Sequence, residues 1–354
     1  MSRFLSKKYA SLTPYTPGEQ PQNRKYIKLN TNESPFPPSE KAVQAAFEEA
    51  KRLQLYSDPE CKALVKKLSE NLGVSEREVL LTNGSDEILN FAFMAFCDSE
   101  HPAVFPDITY GFYPVFAQLN NIPYEEIPLK EDFTLDINDY CGINKTIFIA
   151  NPNAPTGIAL SKADIEKIVA SNPESVVVID EAYVDFGGES CVDLIHKYDN
   201  LIVTQTFSKS RSMAGARLGF RVGCKALIAD LNTIKYSTNP YNINRMTMSA
   251  GIGALADETY FRENLEKIIA TRTRTTEKLR ALGFELPDSS TNFLFVKHPK
   301  IGGQALYLAL KERGVLVRNW EKPLLYDYNR ITVGSDEEMD RFLEILTAIL
   351  EELA

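Results

Sequence analysis

The chain has 354 residues, of which 44% are hydrophobic and 25% charged, and its formal net charge is −9. That length is too great for one ordinary core and suits two, in a soluble globular protein. The acidic balance excludes a general nucleic-acid surface, which needs a basic field, and no apolar run reaches the roughly 18 residues of a membrane span.

The opening "MSRFLSKKYASLTPY" has no apolar signal core. The first 30 residues are polar and turn-rich and read as an arm that wraps over something. From Ser39 a helical pattern begins, with Val43, Ala46, Phe47, Ala50 and Leu53 on one face. "EVLLTNGSDEILNFAFMAFC" reads as a strand, a Gly-centred turn and an apolar-faced helix. Short apolar runs follow, "PAVF", "TIFIA", "SVVVID" and "LIVTQ", with helical stretches such as "SKADIEKIVASN" between several of them. Near-continuous apolar strands alternating with helices predict a largely parallel sheet buried on both faces. After about Pro240 a long helical region runs from Arg245, then strand candidates "NFLFVK" and "RITVG" appear. Ser335 and Glu338 form a capping box for a last helix. The fold class is therefore α/β: a large domain over 29–240 with a mostly parallel sheet flanked by helices, and a smaller α+β domain over 241–354. The arm, 1–28, is grouped with the smaller domain.

The five cysteines, Cys61, Cys97, Cys141, Cys191 and Cys224, lie far apart with no C-x-x-C pair. They read as reduced thiols of a cytoplasmic protein. His101, His196 and His298 are scattered, so no metal site is expected.

Ligands of open parallel sheets bind at the carboxyl ends of the strands. Four polar loops leave strand ends here: "TNGSDE" (82–87), "NPNAPTG" (151–157), "DEAYVDF" (180–186) and "TFSKS" (206–210). Each alone has an ordinary structural reading: an N-capped turn, a Pro/Gly loop, a strand-end acid, a surface lysine. Together they suggest a phosphorylated pyridine aldehyde. A Lys amine forms a Schiff base with such an aldehyde. An Asp keeps the ring nitrogen protonated so that the ring accepts electrons. A helix N-terminus, hydroxyls and an Arg hold the phosphate. Lys209, Asp180, the Gly84-Ser85-Asp86 turn, Thr206, Ser208 and Arg217 supply those parts.

"LNTNESPF", "NGSDE", "PDITYGFY", "NPNAPTG", "DEAYVDF", "TFSKSRSMAGARLGF" and "RITVG", in that order, resemble the fold-type I pyridoxal-phosphate aminotransferases. The similarity is greatest to the histidinol-phosphate branch, as "LTPYTPGE", "LYSDPE" and "VLVRNW" also suggest. It covers nearly the whole chain. The resemblance implies transamination between L-histidinol phosphate and 2-oxoglutarate in histidine biosynthesis, with pyridoxal 5′-phosphate as cofactor. Rival reactions on the same scaffold are aromatic-amino-acid transamination and decarboxylation of an O-phospho amino acid. A non-catalytic effector-binding module would need a DNA-binding segment for which the chain has no spare length.

By that resemblance, Lys209 is the Schiff-base lysine and proton shuttle, Asp180 pairs with the ring nitrogen, and Tyr183 bonds the phenolic oxygen. Tyr110 stacks on the ring. Ser85 and Asp86 offer backbone N–H groups to the phosphate, beside Thr206, Ser208 and Arg217. Tyr56 reaches the cofactor phosphate of a neighbouring subunit, which implies a homodimer. Arg330 binds the anionic end of the substrate, with Asn32 and either Arg318 or Tyr15 near it. Ala154 stands where the family usually has the Asn that contacts the phenolic oxygen. Either Asn153 swings in to replace it, or Asn153 only shapes the loop and Tyr183 and a water do the work. Trp320 either lines the pocket or plugs the small domain.

Overall fold

The computed structural model describes residues 2–353. In chain order, β1 is Ile27–Lys28, α1 Glu40–Ala50, α2 Lys62–Leu72, β2 Val79–Thr82, α3 Gly84–Phe96, β3 Ala103–Pro106, α4 Tyr113–Asn120 and β4 Tyr124–Ile127. Then come β5 Thr146–Ala150, α5 Lys162–Ser171, β6 Val177–Asp180, β7 Leu201–Thr206, β8 Gly219–Gly223, α6 Lys225–Thr238, α7 Arg245–Leu255 and α8 Glu258–Ala281. The chain ends with β9 Phe293–Lys297, α9 Gly303–Glu312, β10 Val315–Leu316, β11 Tyr328–Thr332 and α10 Asp336–Leu353.

Strands β2 to β8 form one seven-stranded sheet among the described residues, in the order β2-β8-β7-β6-β5-β3-β4. Only β8 runs antiparallel to its neighbours. The central strands β5 and β6 are buried along their whole length, and β7 everywhere but at Gln205. Helices therefore cover both faces, and alternate residues feed two cores. Val177, Ile179 and Val203 pack towards α2, α5 and α7, whereas Val178 and Ile202 pack towards α3, α4 and α6.

A separate core gathers Leu294, Val296, Leu310, Val317, Ile331 and Phe342 with Leu29. It is built from the antiparallel pair β9–β11, from β1 paired parallel with β10, and from helices α9 and α10. The capping box at its last helix forms as expected. Ser335 N–H donates to Glu338 Oε2 at 2.9 Å, and Glu338 N–H donates to Ser335 Oγ at 3.2 Å.

One expectation changes. The helical region after Pro240 breaks at Asp257, and α7 packs on α1 inside the large core: Ile243, Ala250, Ala254 and Leu255 belong to it. The packing of the large lobe thus runs past 240. Gly253 allows this approach, because a side chain there would collide with the Lys41 carbonyl. The apolar face of α1 is left largely uncovered. Ala42 is buried, yet Val43, Phe47 and Leu53 are exposed.

No helix among the described residues is long and apolar enough to cross a membrane. All five cysteines are unpaired.

Candidate active site

At the end of β2 the chain turns through Gly84, whose φ is +79°, and enters α3 without a side-chain cap. The first N–H groups of this 13-residue helix are left open, and its dipole favours an anion there. Gly219 presses β8 against this turn; a Cβ on it would lie 2.6 Å from the Ser85 nitrogen. A Cβ on Gly84 would lie 2.5 Å from Arg217 Nη2. Arg217 adopts φ +55° and donates through Nη2 to Asp86 Oδ2 at 2.7 Å. Across the cavity, Thr206 Oγ1 and Ser208 Oγ lie 2.9 Å apart, and Ser208 N–H donates to Thr206 Oγ1 at 3.1 Å. Ser85, Asp86, Thr206, Ser208 and Arg217 all line this inner cavity.

The opposite wall carries Asp180, the last residue of β6 and a buried one. Its Oδ1 accepts from Ala182 N–H at 3.2 Å and its Oδ2 from the Tyr113 hydroxyl at 3.3 Å. Burial, and then the charge of Asp86, push its pKa up to about 7. Hydrogen bonds and Arg221 oppose that rise. A cationic ring nitrogen beside it would draw the proton off. Tyr110 donates its hydroxyl to Asp86 Oδ1 at 2.5 Å, so its ring is fixed as a wall of the same cavity. Lys209 lies between this cavity and the outer cleft. Its Nζ donates to the Thr31 carbonyl at 3.4 Å and stands 5.7 Å from the centre of the Tyr183 ring. Tyr183 Oη accepts from Asn32 Nδ2 at 2.9 Å. Asn32 is held in turn at φ +56° by Thr332, whose Oγ1 accepts from Asn32 N–H at 2.9 Å.

The outer cleft, about 450 Å³, lies between the lobes and under the N-terminal arm. Arg330 reaches it from β11. Nη2 donates to the Asn30 carbonyl at 3.1 Å, while the buried Nε has no partner. The guanidinium carbon lies 5.2 Å from the centre of the Phe293 ring and 5.8 Å from that of Trp320. Burial lowers its pKa, as befits a cation awaiting an anion. Trp320 thus lines the cleft, and Tyr15 does so from the arm, stacked on Phe112 at 4.2 Å.

Asn153 and Arg318 have their polar groups engaged elsewhere, whereas Tyr56, expected to serve a neighbouring subunit, lines neither space of its own chain. Asn153 points away: its Oδ1 accepts from Thr109 Oγ1 at 2.8 Å, and its Nδ2 donates to the Ile108 carbonyl at 2.9 Å and to Thr156 Oγ1 at 3.1 Å. Ala154 lines the cavity and Asn153 braces the loop behind it. Arg318 lines the cleft, but its guanidinium is spent on the carbonyls of Thr16 and Pro17, at 2.9 and 3.0 Å, which ties down the arm. Tyr56 lies on the surface, 80% exposed, stacked on Tyr241 at 4.7 Å. Tyr113 was missed from sequence, because a Tyr on an apolar helix face carries no signal of its reach to a strand end. Arg221 was missed for a related reason: it reads as a surface cation and is wholly buried.

Among the described residues no cluster of metal-ligating side chains occurs. The donors present fit a phosphorylated pyridine aldehyde: an uncapped helix with a glycine cradle for the phosphate, a buried carboxylate, and an amine between cavity and cleft.

A family model for aminotransferase class I and II matches residues 24–346. Histidinol-phosphate aminotransferase of Brachyspira hyodysenteriae is 49% identical over 353 residues, covering 99% of this chain and all of that one. Its namesake from a Marinomonas species is also 49% identical, over the full length of both. The crystal structure of histidinol-phosphate aminotransferase from Sinorhizobium meliloti, in complex with pyridoxal-5′-phosphate, superposes with a TM-score of 0.89 at 24% identity. It covers 100% of this chain and 99% of its own. Matched by the family model over most of its length and alike from end to end to its relatives, this chain is a member of the aminotransferase class I and II family.

Proposed function

We propose that the protein is a pyridoxal-phosphate-dependent transaminase that takes the amino group of L-histidinol phosphate and passes it to 2-oxoglutarate. The products are imidazole acetol phosphate and L-glutamate, in histidine biosynthesis. The observation that carries this reading is the pairing of the inner cavity, Lys209 facing Asp180, with Arg330 in the cleft directly outside it. The names of the full-length relatives support the substrate.

The cofactor supplies an electron-accepting ring and a carbonyl that carries nitrogen between substrates. The chain does the rest. Asp180 keeps its carboxylate against the ring nitrogen. The open N–H groups of α3, with Thr206, Ser208 and Arg217, hold the phosphate. Tyr110 covers the ring, and Tyr183, braced by Asn32, addresses the phenolic oxygen. Lys209 Nζ takes the proton from the substrate Cα and returns it at the acceptor carbon. Arg330 holds the phosphate of the donor and a carboxylate of the acceptor in turn, since a guanidinium fork suits both. The arm, tied by Arg318, excludes water from the cleft.

The working unit is a homodimer. Val43, Phe47, Leu53, Leu55 and Tyr56 leave a run of apolar side chains exposed on and after α1, which supports a second copy as their cover. The scattered, unpaired cysteines support a cytoplasmic location.

The test is a panel of amino donors with 2-oxoglutarate as acceptor, scored for glutamate and for CO₂. Histidinol phosphate is expected to give glutamate fastest and no CO₂. Faster reaction with aromatic amino acids, or CO₂ from an O-phospho amino acid, would replace this reading by the corresponding rival.

A further inference from the structure

Arg221 sits in the middle of β8 and is among the largest fully buried side chains of the protein. Burying a guanidinium is expensive unless something compensates it. Its hydrogen bonds are few: Nε donates to Thr204 Oγ1 at 3.3 Å, and Nη2 to the Ile88 carbonyl at 3.0 Å and Thr204 Oγ1 at 3.4 Å. Nη1 has no partner. Such a group calls for an explanation.

The register of the sheet offers one. Asp180 of β6 pairs with Thr204 of β7, and Thr204 pairs with Arg221 of β8. Paired residues share a face of the sheet. The three side chains form one row across three strands, on the face covered by α3 and α4, from which Tyr113 reaches Asp180. We propose that Arg221 is a positioning residue for Asp180: its fixed charge, set behind Thr204 on the Asp180–Thr204–Arg221 row, favours the ionised form of that carboxylate, the form that receives the ring nitrogen of the cofactor. The inference rests on reading the inner cavity as a pyridoxal-phosphate site.

The other charged and titratable groups about Asp180 do not do this. Asp86 of α3 repels it. The Tyr113 hydroxyl of α4 is a neutral donor, and the Tyr110 hydroxyl donates its hydrogen bond to Asp86. Arg217 is paired with Asp86, and Lys209 is the amine that the reaction itself uses. Arg221 is the cation that stays in place, and it acts from within the sheet without occupying the cavity.

The test titrates the cofactor-free, full-length protein with pyridoxal phosphate across pH 5 to 9, with binding read by fluorescence quenching. Thermal midpoints are measured alongside. In the native protein Asp180 holds a proton below about pH 7, which must leave on pairing, so affinity falls on acidification through that range. Arg221→Met removes the charge and keeps most of the volume. It is expected to move the midpoint of that fall upward by about one pH unit, a roughly tenfold loss of affinity near neutrality. Arg221→Lys, which keeps the charge, is expected to bring the midpoint back towards the native one. A purely structural Arg221 would change the thermal midpoint and leave the pH midpoint alone, and that result overturns the inference while sparing the cofactor reading. Failure of the native protein to bind pyridoxal phosphate overturns both. Should Arg221→Met not fold, Thr204→Val, which takes away the hydroxyl that holds the guanidinium, is expected to give a smaller upward shift, and an unmoved midpoint there is equally fatal.

Discussion

Arg217 Nη2 donates to Asp86 Oδ2 at 2.7 Å, on the one side where a Gly84 side chain would have stood. The cation at the foot of the cavity is therefore pre-aimed at the helix N-terminus by a carboxylate, and a phosphate arriving there meets an oriented guanidinium. Arg217→Gln is expected to weaken pyridoxal-phosphate binding by about 10- to 100-fold, the worth of a charge-assisted contact of roughly 1.5–3 kcal/mol. Gly84→Ala is expected to weaken it too and to lower stability, because it adds strain at positive φ to a clash with Arg217. Titration of the cofactor-free variants checks both. Native affinity in Arg217→Gln would remove Arg217 from the phosphate site.

Asp180 makes a prediction with opposite signs for stability and activity. Its pKa is raised to about 7 in the folded, cofactor-free chain, against about 3.9 when unfolded. Between these values the folded state holds a proton that the unfolded state has lost. Stability from this group therefore falls as pH rises from about 4 to 7, then stays low. Asp180→Asn keeps an oxygen for Ala182 N–H and an amide facing the Tyr113 hydroxyl, but carries no charge. Without cofactor it is expected to be more heat-stable than the native chain at pH 8, by on the order of 1–4 kcal/mol, and no more stable at pH 4. Transamination is expected to fall by several kcal/mol of transition-state stabilisation. Thermal scans at the two pH values, beside turnover, decide it; equal stability at pH 8 would refute the buried-charge account.

Lys209 faces the inner cavity from the loop after β7, and its Nζ is held only by the Thr31 carbonyl. Borohydride reduction of the loaded protein is expected to fix the cofactor on Lys209 and on no other lysine. Peptide mapping by mass spectrometry reads the site directly. Cofactor found on a different lysine would move the centre of the chemistry.

The strand-end loops were legible because each apolar run is largely buried and stops abruptly at a polar cluster, as at Ile179–Asp180 and Gln205–Ser208. The turn expected to take a phosphate was legible for the same reason, Leu81 giving way to Gly84 and Ser85. β8 was hidden. Arg221 interrupts its apolar run with a charge, and its ends are glycines that allow close approach but have low strand propensity. Asn153 was ambiguous in principle: whether an amide faces the cavity or braces its own loop depends on partners such as Thr109 and Ile108, more than forty residues away in the chain. The apolar face of α1 was legible from its periodicity, which marks the side that avoids water and not whether this chain or another covers it.

That uncovered face leads to the last prediction. Tyr56 is 80% exposed, stacks on Tyr241, and continues the apolar run of Val43, Phe47, Leu53 and Leu55. Within one chain it lines neither the inner cavity nor the cleft. If two copies bury these faces about a two-fold axis, Tyr56 of each reaches the phosphate end of the other's cavity. Lys209→Ala and Tyr56→Ala are then made as separate proteins, each weak or inactive alone, and unfolded, mixed and refolded together. Random pairing makes about half of the dimers mixed. In a mixed dimer one site collects both lesions and the other collects neither, so each mixed dimer holds one intact site. Activity is expected to approach a quarter of the native value per chain, on the order of one intact site in four, well above either parent. If mixed dimers form, as native mass spectrometry of differently tagged chains can show, and activity stays at the parental level, Tyr56 and Lys209 serve the same subunit and the shared site is refuted. A fully active monomer in sedimentation velocity refutes it more directly.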